Sequence, residues 1–97
     1  MSTDYHESGL SKEAKATHRA LTSLIEELEA VDWYNQRADV AQDDELKKIL
    51  IHNRDEEMEH AAMLLEWLRR SLPELDEELE TYLFKTAPIT EIEEEED

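Results

Sequence analysis

Three side chains in this sequence have the types and the spacing to hold a divalent metal: Glu27, Glu57 and His60. Glu57 and His60 belong to RDEEMEHAAMLLEWLRR, Arg54 to Arg70, which opens as a run of charges and ends as an apolar helix. At about 100° per residue, Leu46, Leu50, Asn53, Leu64 and Leu68 centre one helical stripe; Glu57 falls in its middle and His60 about 60° to one side. An isolated buried carboxylate is costly and tends to neutralise unless a partner stabilises the anion. His60 lies one turn from Glu57 on the same face. Glu27 sits at the edge of another apolar stripe, between Leu24 and Val31. A divalent cation would relieve all three groups at once, and carboxylate with imidazole is a ligand set of non-haem iron and manganese.

A bare Glu-x-x-His, here Glu57-Met-Glu-His60, is a weak signal. The competing reading is a Glu–His hydrogen bond that fixes the register of a helix interface. Di-iron carboxylate bundles draw one Glu from each of two helices and a Glu-x-x-His from each of the other two. This chain holds one lone Glu and one Glu-x-x-His, half of that set. Two copies about a two-fold axis would complete it.

The elements that must position these residues follow from the rest of the sequence. The chain has 97 residues, one glycine (Gly9), two prolines (Pro73 and Pro88) and no cysteine. Its abundance of Glu, Asp, Lys, Arg, Leu and Ala predicts an all-α fold. Ser11 is placed to cap a helix from Lys12 to about Ala38, carrying Ala14, Thr17, Leu21, Leu24, Leu28 and Val31 on one face. Asp43 is placed to cap a second helix, which Pro73 ends. Pro73 also fits the first position of a shorter third helix with Leu75, Leu79, Tyr82 and Leu83. Pro88 closes the helical region. Residues 1–10 are expected to be disordered, 11–88 to form the helical domain, and 89–97, with EIEEEED, to be a disordered acidic tail.

Two helices of about 27 residues are each roughly 40 Å long, and a hairpin of them cannot enclose its own apolar stripes. The predicted architecture is therefore a long antiparallel hairpin plus a short third helix, dimerising into a four-helix bundle.

With 10 Lys and Arg against 27 Asp and Glu, the formal net charge is −17. Such a surface repels nucleic acid and anionic lipid and attracts cations. The absence of cysteine excludes disulfides, thiolate metal sites and cysteine nucleophiles. MSTDYHESG lacks the apolar core of a secretory signal, and no apolar run approaches the roughly 20 residues of a membrane span, so a cytoplasmic protein is expected.

Two longer motifs, EELEAVDWYNQR (residues 26–37) and HNRDEEMEHAAMLLEWLRR (residues 52–70), followed by TYLF and PIT, closely resemble the encapsulated ferritins, over roughly residues 19–93. The resemblance implies a half-ferritin subunit whose dimers form a ferroxidase centre, assembled as a ring of five dimers. It implies cargo of an encapsulin nanocompartment, with the encapsulin shell protein as partner. Carried over to matching positions, Glu27, Glu57 and His60 are iron ligands, with two iron ions per dimer. Glu26, Glu29 and Trp33 belong to a site through which metal enters, and Tyr34 lies beside the di-iron centre. Members typically carry a C-terminal targeting peptide of the Gly-Ser-Leu type; the acidic EIEEEED departs from that pattern.

The residues themselves also admit plainer readings. Glu26 and Glu29 point away from the stripe centre, as a solvated face would. Tyr34, two turns after Glu27, suits either a hydrogen bond to a ligating carboxylate or packing at a dimer interface. His6, His18 and His52 are expected to be surface or interface residues. Met58, Met63 and Trp67 are expected to pack. The resulting expectation is a ferroxidase that oxidises Fe(II) with dioxygen and supplies iron for mineral storage. The alternatives are a helical assembly or adaptor module and a passive metal-binding scaffold.

Overall fold

A computed structural model describes residues 5–96, and the described residues form helices without strands, in the order α1 (Lys12–Val40), α2 (Asp44–Ser71), α3 (Pro73–Tyr82) and α4 (Ile89–Glu96). The sequence signals for the first three act at the atomic level. Ser11 Oγ accepts from the Ala14 amide at 3.0 Å. Asp43 Oδ1 accepts from the Leu46 amide at 2.8 Å. Each satisfies one of the amides that a helix start leaves without a partner. Acidic residues open α2 (Asp44, Glu45) and basic ones close it (Arg69, Arg70), complementing the helix dipole. Leu72 ends α2 in an extended conformation (φ −121°, ψ 97°), as the residue before a proline should. Pro73 then starts α3.

α1 and α2 form the antiparallel hairpin, 29 and 28 residues long. They meet through small side chains: Ala20 and Ala38 of α1 and Ala61 of α2 are buried, along with Leu68, which is 1% exposed. Small residues let two helix axes come close. Ala20 and Ala38 lie within about 20° of Glu27 around α1, so the same close approach brings Glu27 towards α2.

The chain spans 47 × 40 × 19 Å. Among the described residues no element lies across the hairpin, since α3 meets only α2 of the hairpin and α4 meets only α3. Large apolar residues stay exposed: Leu21, Ile25 and Leu28 on α1, and Leu46, Ile49 and Met63 on α2.

Within one chain Trp67, expected to pack, is 43% exposed, and Met58 and Met63 are 47% and 59% exposed, because a two-helix layer offers them no neighbour. Two other expectations need correction. Pro88 does not close the helical region. Its carbonyl accepts from the Glu91 and Ile92 amides at 3.0 and 3.2 Å and so starts α4. The expected disordered tail is thus helical over Ile89–Glu96, with Ile92 only 7% exposed. Glu has good helix propensity and Ile92 anchors the segment, although the like charges of the glutamate run work against it. Asp97 and residues 1–4 lie outside the described residues, so the expectation of disorder there is not addressed. Residues 5–10 carry no helix, but Tyr5 rests on His18 with ring centroids 4.8 Å apart.

Candidate metal centre

Glu57 and His60, three residues apart on α2, project from one face, and Glu27 meets them from α1. One ligand atom from each lies within 4.8 Å of the other two. His60 Nδ1 stands 3.5 Å from Glu27 Oε2 and 3.6 Å from Glu57 Oε2. These separations are too long for good hydrogen bonds. Glu27 Oε2 is buried without any hydrogen-bond partner. Leaving such an oxygen unsatisfied costs on the order of 1–3 kcal/mol, more if charged.

The arrangement is what a cation needs and what a finished protein contact would avoid. Bonds of about 2.1 Å from a small divalent ion place neighbouring donors roughly 3 Å apart, close to the spacing found here. The donors are hard or borderline, two carboxylates and an imidazole, suited to iron or manganese. The cluster is also open on one side. The Glu27 and Glu57 side chains are 25% exposed, and the His60 side chain is 42% exposed. Three donors do not fill the coordination sphere of such an ion, so the open side leaves room for further ligands.

Glu26 and Glu29 are not among the side chains that converge there. Glu26 is exposed and Glu29 half-buried on α1. Trp33 is 52% exposed. Tyr34 is half-buried, and the Arg37 guanidinium sits 5.5 Å from its ring centroid, within cation–π range. His52 is exposed and reaches Glu56 at 3.4 Å. His6 is exposed.

Two polar groupings on α2 carry no signal in the sequence pattern. Arg54, one turn before Glu57, bonds across the hairpin to Asn35 Oδ1 at 3.0 Å. It also bonds to its neighbour Asp55 at 3.1 and 3.0 Å. At the α2–α3 corner, Arg69 grips Glu66 with Nε and Nη2 at 2.7 and 2.8 Å and Asp76 with Nη1 at 2.6 Å. Arg70 adds a 2.6 Å bond to Glu66. The hydrogen bonds from Arg69 and then Arg70 hold the Glu66 carboxyl down at about 2, against an ordinary value of 4.5. The same contacts, from Glu66 and then Asp76, push Arg69 above its ordinary value.

A long helical hairpin with a carboxylate–imidazole cluster between its helices defines a ferritin-like protein. The chain belongs to the EncFtn-like family, whose pattern matches residues 3–86. It is 61% identical over 97 residues to a ferritin-like protein of Thermotoga maritima, covering 98% of this chain and 85% of that one. It is 61% identical over 84 residues to an encapsulated ferritin-like protein of Rhodospirillum rubrum, covering 87% of this chain but only 60% of that longer relative. In three dimensions it resembles the crystal structure of a Nitrosomonas europaea protein, with a TM-score of 0.85 and 61% identity, covering 88% of this chain and 96% of the other. Among the described residues, no helix is long and apolar enough to cross a membrane.

Proposed function

We propose that this protein is a ferroxidase. Two chains pair about a two-fold axis, and each contributes Glu27, Glu57 and His60 to a centre for two iron ions. The observation that carries this reading is the buried, unpartnered Glu27 Oε2 facing Glu57 and His60 across an open-sided gap. A polar pair meant only to fix register would close its hydrogen bonds within the hairpin, and this one does not.

Fe(II) is the substrate; it gives electrons to dioxygen and leaves as Fe(III). Glu27 and Glu57 supply anionic oxygens, which hold either oxidation state. His60 supplies a neutral nitrogen donor and, being the most exposed of the three, lies where the site opens. Tyr34, two turns after Glu27 on α1, serves as a hydrogen-bond partner to a ligating carboxylate. Glu26, Glu29 and Trp33 guide ions inwards from the outer face. A formal charge of −17 concentrates cations around the whole surface. Exposed Leu21, Leu28, Ile49 and Trp67 support burial against further copies, and a ring of five dimers inside an encapsulin shell in the cytoplasm is the assembly this reading favours. Such a ring encloses little volume, so the shell would hold the mineral.

The test is anaerobic addition of Fe(II), then air, followed by absorbance and native mass spectrometry. Oxo-ferric absorbance and a metal-promoted, even-numbered oligomer are expected. Iron that binds but never oxidises would leave a passive metal-binding scaffold. No bound iron and an unchanged oligomer distribution would leave an assembly module.

A further inference from the structure

Arg54 makes an unusual choice of partner. It lies three residues before Glu57 on α2, the spacing at which acid–base pairs form on a helix surface. About 60° around the helix separates them, on the flank opposite His60. A guanidinium with its fork of donors is well suited to grip a carboxylate there. Among the described residues no Arg54–Glu57 ion pair forms; the ion-pair contact of Glu57 is with His60. Arg54 pairs instead with Asp55, its immediate neighbour, through Nε and Nη2 to the same oxygen. Adjacent helical residues do not normally face each other. The third nitrogen, Nη1, reaches across to Asn35 on α1.

The direction of the reach explains the geometry. Helical side chains lean towards the N-terminus of their own helix, which for α2 is the loop end of the hairpin. Asn35 is eight residues beyond Glu27 on α1 and therefore nearer that loop. Arg54 can bond Asn35 only by extending away from Glu57. All three guanidinium nitrogens are then engaged, and the Arg54 side chain is 26% exposed.

We propose that Asn35 and Asp55 hold the Arg54 guanidinium off the Glu57 carboxylate, keeping that carboxylate open to a divalent cation. Asn35, Asp55 and Arg54 are positioning residues, and the consequence for cation binding rests on the metal-centre reading above. Freed from Asn35, Arg54 competes for Glu57 as an internal cation. Removing Arg54 removes the competitor, and Asn35 then has nothing left to restrain.

The test uses the full chain and Co(II), which reports binding without oxidation. Asn35→Ala leaves the charge unchanged and is expected to weaken Co(II) binding about two- to fivefold, the scale of a partly exposed ion pair. Arg54→Met is expected to bind Co(II) at least as tightly as the wild type. Adding Asn35→Ala to Arg54→Met should change nothing further. A second readout needs no metal. In Asn35→Ala, the Arg54 Nε–H resonance should respond to Glu57→Gln, whereas in the wild-type background it should not. Equal weakening by Arg54→Met and Asn35→Ala would overturn the proposal, because the pair would then be an interhelix clasp. An Arg54 resonance blind to Glu57→Gln in the Asn35→Ala protein would overturn it as well. A wild type that binds no Co(II) would sink the metal reading, and the resonance test would still decide the restraint.

Discussion

Two clusters of acids and bases on α2 behave in opposite ways. At the α2–α3 corner, Glu66, Arg69, Arg70 and Asp76 meet at 2.6–2.8 Å. Every guanidinium arm that reaches inwards finds an oxygen, and the Glu66 carboxyl falls to about 2. About nine residues earlier, roughly 14 Å along the helix, Glu57, His60 and Glu27 approach only to 3.5 and 3.6 Å and leave a buried oxygen without a partner. The first cluster is finished inside the chain. It fixes how α3 leaves α2. The second is left unfinished among the described residues. Satisfied polar groups mark structure, and a convergent group left short marks a site.

The largest effect expected from this contrast is a crossing of two readouts. Glu57→Ala and His60→Ala should weaken metal binding more than about 100-fold, since losing even an outer partner of a ligand costs about 10–100-fold. The metal-free melting midpoint of both variants should hardly move, because neither residue has a closed bond to lose. Glu66→Ala should do the reverse, lowering the metal-free midpoint and leaving Co(II) affinity unchanged. If Glu66→Ala emptied the site while His60→Ala only destabilised the fold, the assignment of the two clusters would be exchanged.

The contrast also explains what could be read in advance. The hairpin and its caps were legible, because Ser11, Asp43 and Pro73 act through local backbone chemistry. The convergence of Glu27, Glu57 and His60 is legible because charge on an apolar stripe demands a cause. Trp67 and Met63 lie on apolar faces that one hairpin leaves exposed, since periodicity shows which face is apolar but not what covers it. The helix at Ile89–Glu96 was missed because its one anchor, Ile92, stands in a run of glutamates that reads as solvated chain. Asn35 and Arg54 escaped notice for a different reason. Their bond depends on the register of two helices, and a register is a tertiary fact.

A smaller effect follows from pH. The folded carboxyl of Glu66, at about 2, lies below its ordinary 4.5. The deprotonated form is thus favoured by folding. Its contribution is fully present above about pH 4.5 and is lost as the pH falls towards 2. Acid unfolding of the metal-free protein should therefore be less steep between those values in Glu66→Gln. Equal slopes in the two proteins would show that the corner contacts loosen in solution, where an exposed network is screened.

The smallest effect concerns the route inwards. Glu26 and Glu29 flank Glu27 in sequence, yet at about 100° per residue each points roughly 100–160° away from it. On the proposed reading, neither reaches an ion at Glu57 and His60 without unwinding α1, and their part is to capture ions on the way in or to restrain their passage. The double variant Glu26→Ala, Glu29→Ala is therefore expected to change the rate of Fe(II) oxidation modestly while the site stays occupied. Glu27→Ala should empty or disorder the site, although it removes one negative charge and the double variant removes two. General attraction of cations by the acidic surface predicts the opposite order, since the larger charge loss would then have the larger effect. Metal occupancy in crystals of the two variants, read beside their oxidation rates, separates these cases. An empty centre in the double variant and a full one in Glu27→Ala would move the ligand from Glu27 to its neighbours.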